Sequence, residues 1–258
     1  MKTINLYLDM EFTSLSPDAQ PISIGIVSDD FCSPCIDKKL YPNEDCENCS
    51  GEWHKGMTLK SFYAEFSDFD INRCDDWVKG NVIGKLKHYG QQSCGGWYAS
   101  DDCFKYECYN DTDRIKVVLK EYLAQFSDYE IQIVVDCGTW DWYHFLQLVA
   151  EWDKIDNSWH YGDDFNSGLP KLPSNISPVP RDLNDLIAFK KGISVREAFN
   201  LDREWLVSDM SPNPQYGMVV PAVKLKDGIE NKHNALWDAK VIKSIYKTLS
   251  TNGSNHNQ

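Results

Sequence analysis

Residues 4 to 11 alternate without a break: Ile4, Leu6, Leu8 and Met10 are apolar, and Asn5, Tyr7, Asp9 and Glu11 fall between them. A period of two is the pattern of a β-strand, and it sends Asp9 and Glu11 out of the same face. Asp and Glu are poor strand formers, and a carboxylate is costly to bury unless something offsets its charge. A strand that aims two carboxylates one way therefore needs open solvent or a cationic partner on that side. The neighbouring Leu8 and Met10 make an exposed edge the weaker reading, so "YLDMEF" (7–12) is the first candidate site.

The rest of the chain supplies a frame for that strand. "PISIGIV" (21–27) and "SFYAEFSDF" (61–69) predict a second and a third strand, a meander interrupted by residues 28–60. "NVIGKLKHYG" (81–90) predicts a short helix ending at Gly90. Residues 113–126 carry apolar side chains at helical spacing, "IQIVVD" (131–136) reads as a buried strand, and "DWYHFLQLVAEW" (141–152) reads as a helix with Trp142, Phe145, Leu146, Val149 and Trp152 on one stripe. Residues 160–180 read as a loop. Asp182 can cap a helix running through Lys190, and "SVRE" (194–197) is a capping box that starts another. Residues 211–232 form a connector punctuated by Pro and Gly, "NALWDAKVIKSIYKTL" (234–249) is a closing helix, and the last residues are a polar tail. The expected fold class is α/β: one domain spanning residues 1–250, a mixed sheet flanked by helices, with a cysteine-rich insertion at 32–59 read as a zinc hairpin, a second at 88–112 read as a loop, and a disordered tail at 251–258.

Bulk properties narrow the function. With 258 residues, 42% of them hydrophobic, the chain can bury a substantial core. No stretch approaches the roughly 18 apolar residues of a membrane span, and the N-terminus enters a strand pattern without a signal peptide, so a soluble cytoplasmic protein is expected. Lys+Arg 26 against Asp+Glu 39 leaves a net charge of −13, which disfavours a binder that works by neutralising phosphates. An enzyme whose acids hold divalent cations is still compatible, because the cations reverse the local field.

Three places hold carboxylates that local structure does not explain: Asp9 and Glu11 on the first strand, Asp141 at the mouth of a helix, and Asp238 beside His233 in "HNALWD". Acids from distant segments can converge on hard cations, which prefer oxygen ligands. Two such ions about 3.5–4 Å apart form a clamp for in-line displacement at phosphorus. A histidine beside them can take a proton from the attacking water.

These motifs resemble, in order and internal spacing, those of the DEDDh 3′–5′ exonucleases, the family of the DNA polymerase III proofreading subunit and oligoribonuclease. "DMEFTSL" is similar to the first motif, "DCGTWDW" to the second and "HNALWDA" to the third, and "RDLNDLIAF" adds a likeness to small bacterial and phage exoribonucleases. The resemblance covers residues 4–31, 58–87 and 113–249. It implies an RNase H-like fold and two Mg²⁺ or Mn²⁺ ions, with Asp9, Glu11 and Asp238 as direct ligands and Asp141 holding the second metal largely through water. His233 would be the general base. Phe12, Thr13 and Leu15 would cradle the terminal nucleotide, Leu15 as a wedge, and Trp142 is a further candidate for substrate contact. The implied reaction releases nucleoside 5′-monophosphates from the 3′ ends of single-stranded RNA or DNA, and a homodimer is implied by analogy. One departure is Cys137, where many relatives carry Asn.

Plainer readings stand beside these. Asp141 could be only a helix N-terminal acid favoured by the macrodipole. Asp136 competes for its role but reads better as a turn residue. Trp140 and Trp142 fit a core stripe, and Lys190, Lys191 and Arg196 fit a solvated face. A proofreading-type DNA exonuclease and a non-catalytic interaction module on the same fold are the alternatives.

The nine cysteines lie mostly outside the resemblance. Cys32, Cys35, Cys46 and Cys49 form two Cys-x2-Cys knuckles ten residues apart, a spacing that can deliver four thiolates to one structural zinc. Cys94, Cys103 and Cys108, with His88 or Cys74 as a fourth ligand, are an irregular second set.

Overall fold

The computed structural model describes residues 2–29, 59–100, 103–150, 172–203, 206 and 232–251. In chain order the elements are β1 (Lys2–Phe12), β2 (Pro21–Ser28), β3 (Leu59–Phe66), α1 (Asp76–Asn81), β4 (Cys94–Ser100), β5 (Cys103–Asn110), α2 (Thr112–Ala124), β6 (Tyr129–Val135), α3 (Asp141–Val149), β7 (Arg181–Asp182), α4 (Leu183–Lys191), α5 (Val195–Phe199) and α6 (Ala235–Thr251). The strands form one mixed sheet in the order β4-β5-β3-β2-β1-β6-β7. β1, β2 and β3 are the expected antiparallel meander. β6 runs parallel to β1, β7 parallel to β6, and β5 parallel to β3.

Both faces of the sheet are covered. Ile4, Leu6, Leu8 and Met10 of β1 point into a core completed by Ile115, Leu119 and Tyr122 of α2 and Phe145 and Leu148 of α3. Tyr7 points the other way, onto Trp237, Val241 and Ile245 of α6 and Leu183 and Ile187 of α4. The period-two reading of β1 is therefore correct in direction, but its polar side faces a second helical layer rather than water. Among the described residues, no helix is long and apolar enough to cross a membrane.

The capping signals form as expected. The Asp182 carboxylate accepts from Asn184 N at 2.8 Å, and Ser194 and Glu197 make both bonds of the capping box. α4 ends at Gly192 with φ 67°, a left-handed turn that glycine adopts without steric cost.

Two elements differ from expectation. Residues 81–90 are not one helix: α1 ends at Asn81 and a short 3-10 turn spans Ile83–Lys85. Asp75 starts α1 earlier by accepting from Val78 N at 2.7 Å. The insertion at 88–112 is not a loop, because β4 and β5 form a hairpin that extends the sheet through β3. Within "CFKYECYN", Tyr106 and Cys108 enter the core while Lys105 pairs with Glu107 at 3.0 Å on the other side. The insertion at 32–59 lies, but for Leu59, outside the described residues, as do residues 160–171 of the expected loop, Trp152 at the end of the expected 141–152 helix, and all of the 211–232 connector but Lys232.

Candidate metal centre

Strand register sets out the floor of the site. Asp9 pairs with Gly25 and Gly25 with Tyr63; Glu11 pairs with Ser23 and Ser23 with Glu65. Directly paired residues share a face, so these two rows lie under α6. Gly25 lets the helix come close. A Cβ at that position would lie 2.3 Å from the backbone of Ala235 and Leu236. The absent side chain seats the first turn of α6 on β2, beside Asp9, and carries His233 and Asp238 with it.

Ligand atoms of Glu11, His233 and Asp238 lie within 4.8 Å of one another, the one such trio of metal-ligating groups among the described residues. His233 has φ 66°, an uncommon backbone conformation for a non-glycine residue and one that the surroundings must hold. Its N–H donates to Asp238 Oδ2 at 3.0 Å. Asn234 caps α6: its carbonyl accepts from Asp238 N at 3.0 Å and its Oδ1 from Trp237 N at 3.3 Å. Asp141, the first residue of α3, reaches the same place from across β1, where its Oδ1 accepts from Met10 N at 3.1 Å.

Burial, followed by the charges of Asp141, Asp238 and Glu11, holds the Asp9 carboxyl well above the usual carboxylate range. Burial and the charges of Asp238 and Asp141 do the same to Glu11. Asp141, 4% exposed, is raised by burial and by Asp136, with backbone hydrogen bonds pulling it part of the way back. Among the described residues, no cationic side chain pairs with Asp9, Glu11 or Asp141. Asp136 is the contrast. Both its oxygens accept from Arg203 Nε at 2.9 Å, and Arg203 also binds Asn184 Oδ1 and the carbonyls of Ala198 and Leu201. Asp136 is thus more than a turn residue, since it joins β6 to α4 and α5. Asp9, Glu11 and Asp141 are the acids that could receive a cation.

This charge balance has a measurable consequence. A carboxyl raised on folding contributes most favourably below its unfolded pKa of about 4, and that contribution is lost as pH rises through the raised folded value. Ionising Asp9, Glu11 and Asp141 therefore weakens the metal-free protein, and a divalent cation that binds the ionised form restores it. Mn²⁺ is expected to raise Tm much more at pH 8 than at pH 5. An equal rise at both pH values, or none at either, would contradict a cation site at these acids.

The remaining candidates fall into groups. Leu15 is 74% exposed at the tip of the β1–β2 loop. That loop is closed by Thr13, whose N–H donates to the Gln20 carbonyl and whose Oγ1 accepts from Gln20 N, both at 3.0 Å. Phe12 is buried on the opposite side of β1 from Glu11, its ring 4.5 Å from that of His144, so only its backbone faces the site. Trp142 is half-buried against the core and stacks on Phe145 at 5.7 Å, in line with the core-stripe reading. Lys190, Lys191 and Arg196 are exposed on α4 and α5.

Trp77 was not among the expected residues. It is 54% exposed on α1, and its ring meets that of His233 edge-on at 4.9 Å. α1 is held there by Val78, which packs with Val82 on Ile22 of β2, next to the bulge between Glu11 and Phe12. The signal lay in "DDWVKGNV": a capping Asp followed by valines four apart.

Cys32, Cys35, Cys46 and Cys49 lie outside the described residues, as does the side chain of Cys103. Cys94 lies close to Cys108 on the β4–β5 hairpin, pairing with Tyr109 next to the Gly95–Cys108 pair, but Cys74 and Cys108 sit in separate cores. Cys74 packs with Ile22 and Val78, while Cys108 joins the main core, where burial pushes its thiol up to about 12. His88 instead lies 3.7 Å from Glu107. Cys137 is half-buried, and its thiol is raised by burial and by Asp141.

No protein-family model matches the chain, and no curated protein matches it.

Proposed function

We propose that this chain is a metal-dependent 3′–5′ exonuclease of the DEDDh type, with an RNase H-like fold, acting on single-stranded nucleic acid and on RNA in particular. The observation that supports it most is the meeting of Asp9, Glu11 and Asp141 with His233 and Asp238, drawn from β1, α3 and the start of α6. Asp9, Glu11 and Asp238 would hold divalent cations directly, and Asp141 through water. The donors fit hard ions such as Mg²⁺ or Mn²⁺, being carboxylates with no cationic side chain against Asp9, Glu11 or Asp141 among the described residues. Bound there, a pair of such ions would neutralise charge developing at phosphorus and acidify an attacking water.

The protein's own groups do the rest. His233, tied through its backbone to Asp238, would take the proton of that water. Leu15 and the Thr13 turn offer an edge against which the last base can part from its neighbour. Trp77 presents an apolar ring beside His233 for the terminal base or sugar. A single 3′ end entering this centre needs few phosphate contacts, which makes the net charge of −13 tolerable. The preference for RNA follows from the subgroup the motifs resemble.

The test is release of nucleoside 5′-monophosphates from a 3′-labelled RNA oligomer in Mn²⁺ or Mg²⁺, with a DNA oligomer of the same sequence in parallel. Release that needs the ion and stops with EDTA is expected, faster on RNA. Faster release from DNA would favour the proofreading type. No release from either strand would favour a non-catalytic module on the same fold.

A further inference from the structure

Behind the centre, on the same face of β3, Tyr63 and Glu65 are both fully buried. The Tyr63 hydroxyl donates to Glu65 Oε1 at 2.8 Å and accepts from Asn234 Nδ2 at 2.9 Å. Glu65 also accepts from the backbone N–H of Lys87 at 2.6 Å and of His88 at 2.9 Å. The Lys87 ammonium sits 5.2 Å from the centre of the Tyr63 ring. An unbroken hydrogen-bonded line thus runs from the segment that leads into β4, through Glu65 and Tyr63, to the residue that follows His233.

The direction of each bond matters. Glu65 accepts from three donors, the Tyr63 hydroxyl and the Lys87 and His88 amides, so the phenol hydrogen is committed to it and a phenol lone pair turns toward Asn234. That lone pair takes Nδ2, which also donates to the Lys85 carbonyl at the longer distance of 3.4 Å, and leaves Oδ1 aimed at Trp237 N, where it caps α6. Without Glu65, the phenol could donate to Asn234 Oδ1 and favour the flipped amide, whose NH₂ would then face a backbone N–H. Asn234 directly follows the positive φ of His233, and its carbonyl holds the Asp238 amide. A conformation of that kind persists only where its surroundings fix it.

We propose that Tyr63 and Glu65 are positioning residues: by setting the Asn234 amide they hold His233 and Asp238 in place, and they tie both to the Lys87–His88 segment at the foot of the β4–β5 hairpin. The effect on turnover rests on the exonuclease reading; the tie itself does not. Two variants of the full chain separate them. Tyr63→Phe keeps the ring and deletes both hydroxyl bonds. Glu65→Gln keeps the size but cannot satisfy all three donors.

Hydrogen exchange reads the tie. In Tyr63→Phe, faster exchange is expected at Trp237 and Asp238 with Lys87 and His88 unchanged, whereas Glu65→Gln should loosen both segments. Kinetics read its use: kcat on 3′-labelled RNA falls about 10–100-fold in Tyr63→Phe, with KM within about twofold. Unchanged exchange at 237–238 in Tyr63→Phe, or faster exchange spread evenly over the sheet in both variants, would overturn the proposal. So would full turnover by Tyr63→Phe from an active parent. An inactive parent whose variants show the segmental pattern would sink the exonuclease reading and leave the tie standing.

Discussion

Gly25→Ala is expected to unseat the start of α6. The added methyl would lie 2.3 Å from the carbonyl carbon and oxygen of Ala235 and from Leu236 N, atoms of a helix that cannot turn aside as a side chain can. Overpacking of this kind costs about 1–3 kcal/mol, and more where backbone must move. For a chain of this size that is a Tm lower by roughly 2–12 °C. Relief comes by lifting α6 away from β2, which carries His233 and Asp238 away from Asp9 and Glu11. The variant should therefore also lose most of the Mn²⁺-dependent rise in Tm. Gly80→Ala is the control, since a Cβ there meets nothing within 4 Å and alanine favours the helix. A Gly25→Ala protein with parental Tm and parental response to Mn²⁺ would show that the close approach does not position the centre.

Asp9→Asn is expected to move stability and activity in opposite directions. Asp9 lies among Asp141, Asp238 and Glu11, and each of those charges raises its pKa, so removing its charge relieves repulsion on every side. The metal-free variant should melt above the parent at pH 8, with little difference at pH 5, where less of the cluster is ionised. On the two-cation reading the same change removes a direct ligand. Losing about 4 kcal/mol of transition-state charge stabilisation lowers turnover by about 10³-fold. Melting at several pH values, with and without Mn²⁺, and release of mononucleotides measure the two halves separately. A variant that melts no higher than its parent at pH 8 would contradict the electrostatic account. A variant that keeps its turnover would remove Asp9 from the reaction.

The two variants probe different causes of one arrangement. Gly25 matters because of what it lacks: its bare backbone lets a helix approach a sheet. Asp9 matters because of what it adds, a charge that folding forces into company. Folding thus gathers acids that destabilise one another, which is the pattern the proposed cation centre accounts for.

Much of this was legible along the chain. Alternation in β1 put Asp9 and Glu11 on one face, and the Asp182 and Ser194 signals marked α4 and α5, because strand period and helix caps depend on residues a few positions apart. Gly25 was readable in kind, since glycine inside an apolar strand marks a close backbone approach, but nothing nearby in the chain says what approaches. β5 alternates too, Phe104, Tyr106 and Cys108 against Lys105 and Glu107, yet its pairing with β3 is a long-range choice.

Sequence by itself determined the direction of the first two carboxylates, the caps, and the presence of further acids in two later segments. Tertiary structure alone decided that Arg203 compensates Asp136 and leaves Asp141 to the cluster, that Trp77 stands against His233, and that Tyr63 and Glu65 set the Asn234 amide. The reason is physical: periodicity and capping are local energies, whereas these contacts join residues far apart in the chain, and only the order of the sheet and the seating of α6 bring them within reach.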